Sequence, residues 1–272
     1  MQYGIIVTAG DPRTAADLAA AAEMAGWDGV FSWDGIAVGE VETFDPWVVM
    51  AAMAMRTERV RLGAILTPPA RRRPWKLARE TMSLDRLSNG RLVLPVGIGA
   101  VADLGFGNVG EPIDAPTRSQ RLDESLEILQ GLWSGEPFGY EGRHYRFGPM
   151  AFRPTPVQQP RIPIWVAARI TSEQSVARAL RFDGVMPQTD DPAHIRRLAE
   201  RAARERPSGG SGATVTPFAI VVEGRTRPGD RADLERVRAL AGAGATWWIE
   251  SDWESFSVEA LRERIAAGPP RS

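Results

Sequence analysis

The chain contains no cysteine, which excludes disulfides, thiolate nucleophiles, thiolate zinc sites and iron–sulfur ligation. It has one lysine: every other one of its 33 basic residues is arginine. Lys76 follows Pro74 early in a predicted helix rather than at a strand end, so Schiff-base and pyridoxal chemistry have almost no candidate residue. There are 2 histidines, His144 in a hairpin-like stretch and His194 behind the helix start Asp191-Pro192. They are too few for a multi-histidine metal centre, and no metal site is expected. Neither sign of charge dominates. With a net charge of −1 the chain shows no electrostatic footprint for nucleic acid or an acidic membrane. No apolar run approaches membrane-spanning length, and the opening residues read as a strand rather than a basic–apolar–small leader. The expectation is a soluble, cytoplasmic protein.

The chain does contain a regular alternation. Short apolar strands are predicted at Tyr3–Thr8, Gly29–Trp33, Val60–Leu66, Arg91–Val96, Ile164–Ala167, Gly184–Gln188, Pro217–Val222 and Thr246–Glu250, each followed by a helical pattern. Thr14-x-x-Asp17, Thr117-x-x-Gln120 and Thr171-x-x-Gln174 read as capping boxes. Asp45-Pro46 and Asp191-Pro192 each put a capping carboxylate before a proline at the first helical position. Leu122, Leu126, Leu129 and Trp133 recur at helical spacing as one buried stripe. The strands are rich in Val, Ile and Leu with little alternation, as parallel strands covered by helices are. Eight such units in 272 residues, 43% of them hydrophobic, predict a (β/α)8 TIM barrel forming a single domain over residues 1–272.

Three connections stand out. Residues 98–116, "IGAVADLGFGNVGEPIDAP", follow the fourth strand and fall at the catalytic face, where a mobile lid is expected. Residues 134–162 carry "GYEGRHYRFG", a small hairpin before the fifth strand, then a proline-rich run. Residues 206–213, "RPSGGSGA", read as a flexible link at the opposite face.

Working residues of such a barrel come from the C-terminal strand ends. Here those ends are poor in strong acids and bases and rich in small and aromatic groups, which suits holding a ring system whose own chemistry does the work. The fourth strand in "LDRLSNGRLVLPVGIG" (84–99) stays apolar to its tip and then ends on Gly97 and Gly99. Either the glycines admit a flat, phosphate-bearing cofactor or they only serve a turn. "WVAARITSEQ" (165–174) offers an anion site: Arg169 beside a helix start with the hydroxyls of Thr171 and Ser172, or else an ordinary cap beside a surface arginine. Asp34 is a polar contact to a ring or a structural acceptor. Glu40 and Glu42 are candidate acid–base groups or solvated loop carboxylates. Trp247, Trp248 and Trp253 hint at an apolar wall.

Three stretches together resemble the bacterial luciferase-like flavin-dependent oxidoreductases. They are "FDPWVVMAAMAMRTERVRLGAILTPPARRRPWKLARETMSLDRLSNGRLVLPVGIG" (44–99), "LDESLEILQGLWSGEPFGYEGRHYRF" (122–147) and "RPTPVQQPRIPIWVAA" (153–168). The resemblance implies a luciferase-like barrel, here with a shortened insertion after the fourth strand, that binds reduced FMN or the deazaflavin F420. Carried over by position, the ring lies over Trp33, Asp34, Ala64, Ile65, Thr67, Gly97 and Gly99, and the phosphate over Ala168, Arg169, Thr171 and Ser172. A cis non-proline peptide is expected at Ala64-Ile65. Two positions depart from the family pattern: Gly35 stands where many members have histidine, and Ala167-Ala168 where a glycine pair is usual.

The leading expectation is a two-component monooxygenase that uses reduced FMN from a partner reductase, with O2, on a small-molecule substrate. Asp34 and Glu40 are its candidate catalytic residues. F420-dependent hydride transfer is the alternative, and a non-catalytic flavin-binding barrel the second. The resemblance also implies a homodimer, for which Met50, Met53, Met55 and Trp75 are the apolar helix residues to consider.

Overall fold

The computed structural model describes residues 1–206 and 217–271; most of the predicted 206–213 link lies outside the described residues. Eight parallel strands follow the order β3-β2-β1-β10-β9-β8-β7-β4. They are β1 (Gln2–Ile6), β2 (Gly29–Ser32), β3 (Arg61–Ala64), β4 (Leu94–Val96), β7 (Ile164–Ala168), β8 (Gly184–Pro187), β9 (Ala219–Gly224) and β10 (Trp247–Glu250). Between β4 and β7 stands the hairpin β5 (Phe138–Glu141) and β6 (Arg146–Met150), antiparallel as expected from the sequence. Its turn is held by Glu124, which accepts from the N–H groups of Arg143, His144 and Tyr145.

The ring closes between β3 and β4 through few bonds. Leu62 N donates to Arg91 O and Val93 N to Leu62 O; further up, Thr67 N donates to Pro95 O and Gly97 N to Thr67 O. The ladder position two residues beyond Val93 is Pro95, which has no N–H to give. At Gly63 the strands run so close that a Cβ would sit 2.9 Å from Val93 O. The barrel is nearly closed, with a thin seam on this side.

Alternation along the strands divides the core. Ile6, Phe31, Val93, Trp165, Val221, Trp247 and Ile249 fill the interior. Trp165 packs tilted against Trp247, with ring centroids 5.2 Å apart, and against Phe31 at 5.9 Å, plugging the lumen. Their neighbours Val30, Leu62, Leu94, Val166, Ile220 and Trp248 point outward against the helices. Each large side chain so buried contributes roughly 1.5–3 kcal/mol.

The helices are α1 (Pro12–Met24), α2 (Pro46–Arg56), α3 (Pro74–Leu87), α4 (Ala115–Trp133), α5 (Glu173–Leu180), α6 (Pro192–Glu205), α7 (Arg231–Gly242) and α8 (Val258–Ala266). Asp45 and Asp191 cap α2 and α6 as expected, and the α4 stripe Leu122, Leu126, Leu129 and Trp133 is buried. The three capping boxes are displaced. Asp11 and Asp114 cap α1 and α4 by accepting from the N–H of Thr14 and Thr117, and Ser172 caps α5. A carboxylate three residues upstream, with proline behind it, outcompetes the threonine hydroxyl. The helix-face residues are also reassigned. Met50 and Met53 are core, Trp75 packs against Tyr145 and Phe147 of the hairpin, and only Met55 is exposed. No helix among the described residues is long and apolar enough to cross a membrane.

Candidate active site

A cavity of ≈ 820 Å³ opens at the C-terminal ends of the strands. That lies within the range of small-molecule and cofactor sites. Its floor is apolar: Ile65 and Leu66 beyond β3, Gly97 and Ile98 beyond β4, and Ala167 on β7. One wall is aromatic, with Trp33 beyond β2 and Trp253 and Phe256 beyond β10. The far end is polar and includes Arg169, Ser172, Ser175, Arg178 and Gln188.

The polar end is built by the start of α5. Ser172 Oγ accepts from Ser175 N, and Ser175 Oγ accepts from Arg169 N at 3.2 Å, which leaves both hydroxyl protons for a ligand. Arg169 is exposed and has no carboxylate partner among the described residues, unlike Arg178, which holds Asp123 bidentately at 2.6 and 2.8 Å. Free N–H groups, hydroxyls and an unpaired guanidinium are the groups with which proteins bind anions.

The side near β3 is a buried ion network. Arg71, in the 3-10 turn Pro69–Arg71, reaches Asp34 Oδ1 at 3.0 Å and also binds Asp103. Arg72 lies 2.8 Å from Asp34 Oδ2. Asp103 additionally accepts from the N–H groups of Ile36, Ala37 and Gly105 at 2.9–3.0 Å. Burial pushes the Asp103 carboxyl up, but Ala37, Arg71, Gly105 and Ile36 outweigh it and hold it at about 2. A depressed pKa contributes stability above the ordinary carboxylate value that is lost as pH falls through the folded value. Unfolding midpoints in urea should therefore drop between about pH 4 and pH 2, and this limb should flatten in Asp103→Asn. An identical limb in the variant would refute the assignment.

The same contacts pack the segment 98–116, where a mobile lid is expected from the sequence, against its neighbours. Asp103 pins the segment to the loop after β2, and Leu104 N donates to Ala37 O. Phe106 is fully buried between the guanidiniums of Arg71 and Arg118, and Arg118 donates to the carbonyls of Ile98 and Gly99. This arginine-packed plug forms one wall of the cavity.

Of the eleven residues carried over for the cofactor, seven line the cavity together: Trp33, Asp34, Ile65, Gly97, Gly99, Arg169 and Ser172. Four do not. Ala64 and Ala168 belong to the outward-facing core because side chains alternate along β3 and β7. Thr67 is fully buried beneath the floor, and Thr171 is exposed outside the lining. Glu40, the second acid–base candidate, is exposed and outside the lining too, because the loop turns outward at Gly39 while Val38 faces in. Asp34 does line the cavity, but its side chain is only 1% exposed and both its oxygens are held by arginines. The cis peptide is Ile65-Leu66 rather than Ala64-Ile65, since Ile65 N still donates to Ser32 O and keeps the preceding peptide in the ladder. Gly99 has a positive φ of 78°, and a Cβ there would lie 2.6 Å from Phe106 and 2.8 Å from Pro68, so the backbone turn and the plug packing both require it. Of the three late tryptophans, Trp247 fills the lumen, Trp248 faces the helices and only Trp253 reaches the cavity. His144, His194 and Lys76 lie outside it, beside Gln120, Asp191 and Glu80.

Arg71, Asp103, Phe106, Arg178 and Phe256 were not anticipated. Only Arg71 carried a sequence signal, the arginine run in "PPARRRP" directly beyond a strand tip.

A family model described as luciferase-like monooxygenase matches residues 2–266. The chain belongs to this family. It is similar to the oxygenase component of flavin-dependent trigonelline monooxygenase from Acinetobacter baylyi, 35% identical over 46% of this chain and 34% of that protein. It is also similar to the F420-dependent glucose-6-phosphate dehydrogenase of Microbacterium testaceum, 38% identical over 45% of this chain and 35% of that protein. The chain spans about half the length of the uncharacterized mycobacterial relatives it matches, and about a third of these two enzymes. In fold it is similar to the crystal structure of monooxygenase RslO1 from Streptomyces bottropensis, with a TM-score of 0.78, 21% identity and 98% of each chain covered. The relatives it resembles thus include both a flavin-dependent and an F420-dependent enzyme.

Proposed function

We propose that the chain is the oxygenase component of a two-component system, in which reduced FMN from a separate reductase and O2 oxidise a small organic substrate. When bound, reduced FMN supplies the two electrons with which one oxygen atom enters the substrate and the other leaves as water. The residues present fit such a group. Arg169, Ser172 and Ser175 would hold the phosphate, while Ile65, Leu66 and Gly97 form an apolar floor for the ring with Trp33 at its side. Asp34 acts as an anchor for Arg71 and Arg72 in this reading, not as a proton carrier. The site thus excludes water from one end of the cavity and fixes charge at the other.

The observation that carries this over F420-dependent hydride transfer is the lack of a free acid or base. Oxidising an alcohol by hydride transfer requires a group to take the hydroxyl proton. Among the cavity's lining residues the only carboxylates are Asp34 and Asp103, both held by Arg71, and no histidine, lysine, tyrosine or glutamate is present. The similarity to F420-dependent dehydrogenases keeps hydride transfer as the second reading. A homodimer, implied by the family resemblance, and a cytoplasmic location, expected from the sequence, complete the proposal.

Titrating the purified protein with FMN and, separately, F420 tests the assignment by fluorescence quenching and difference spectra. FMN should bind with a dissociation constant in about the micromolar range, near −8 kcal/mol. Binding of F420 alone would overturn the assignment. Bound FMN that never turns over with reductase, O2 and a broad substrate panel would reduce the protein to a carrier.

A further inference from the structure

In the ring of strands β1 lies between β2 and β10, and β7 stands four places away, diametrically across the barrel. The aromatic wall is built on the strands flanking β1, and Arg169 follows β7, so the two ends of the cavity face each other across the rim. Trp33 meets Trp253 edge-on with centroids 6.0 Å apart, and Phe256 at 6.2 Å with a 56° tilt. Trp253 Nε1 donates to Glu223, which leaves no unsatisfied indole donor on that ring. Val38 adds an apolar flank; Asp34, next to Trp33, is turned into its arginine pair, and Asp252 and Glu254, which flank Trp253, are paired with Arg225.

Gly35 makes this corner possible. A Cβ at position 35 would lie 2.2 Å from the Trp33 ring, so any side chain there and the present position of Trp33 exclude each other. The φ of Gly35 is not in the left-handed region, and the backbone would accept another residue. The glycine is required only by the indole that lies over it.

We propose that the Trp33–Trp253–Phe256 corner is the substrate subsite, that it takes an uncharged aromatic compound, and that Gly35 determines this specificity by holding Trp33 in the wall. Rings meeting edge-to-face leave an opening that a further planar ring completes, with a gain beyond simple apolar burial. An anionic substrate would be without a counter-charge there, because the Arg169 guanidinium stands at the opposite end, and the carboxylate beside Trp253, that of Glu223, is already committed to the indole N–H. This deepens the oxygenase reading for the fate of the compound, but its binding does not depend on a cofactor.

Calorimetric titration of the cofactor-free protein with acetophenone, and with 2-octanone as a neutral aliphatic ketone, tests the proposal. Acetophenone should bind more tightly, and both Gly35→Ala and Phe256→Ala should weaken it by about tenfold. Trp33→Leu, which relieves any crowding at position 35, should weaken it similarly and guards against misfolding of the glycine variant. Acetophenone affinity unchanged in these variants, or 2-octanone bound as tightly, would overturn the proposal. FMN binding measured separately on the wild type distinguishes failure of the cofactor reading from failure of this one.

Discussion

Replacing Arg71 with alanine should destabilise the protein by about 3–5 kcal/mol, the range for removing one partner from a buried ion pair. Arg71 is 2% exposed and joins Asp34, 1% exposed, to Asp103, 7% exposed. Asp34 would keep Arg72, so the loss falls chiefly on Asp103, which would retain only backbone donors. Urea unfolding gives the magnitude, and the cycle Arg71→Met with Asp103→Asn isolates the coupling. A loss under about 1 kcal/mol would put the pair in the class of surface ion pairs and refute the account. The same variant should free the plug at Phe106, because the Arg71 guanidinium packs 5.1 Å from its ring.

Arg169→Ala should weaken FMN binding by between about tenfold and a hundredfold, the worth of one or two charge-assisted hydrogen bonds to phosphate. Riboflavin, which has the same ring and no phosphate, should bind the variant and the wild type equally. The contrast between the two ligands is the informative readout. An equal loss for both would mean that Arg169 shapes the cavity rather than meeting an anion. No loss for either would move the phosphate elsewhere.

The barrel was legible because strand count and helix starts are local properties. The segments that carry the family resemblance are equally informative about fold, and the structure shows why they say less about chemistry. Arg91 of "SNGR" is buried and donates to the carbonyls of Ala54, Thr57, Val60 and Ser88, tying the end of α2 to β3. Asp85 of "LDRL" accepts from Val157 and Gln158. Arg61 reaches Gly90 and Gln158. These contacts lie at the N-terminal face, where they serve stability. At the other face, strand parity decides which of two adjacent residues looks inward, and the assignment slipped by one at Ala64 and Ala168. The arginine–carboxylate network was illegible for another reason. Asp34, Arg71 and Asp103 come from three separate loops, and no periodicity links them.

The proline at position 95 has a consequence for mechanics. It leaves the cylinder of strands cinched by only a few links along one side, and the cavity floor straddles that side, with Ile65 and Leu66 on one bank and Gly97 on the other. Any flat molecule resting there acts as a clasp across the least-stitched join. A ligand held there should therefore stabilise the folded barrel by linkage, most directly at this join.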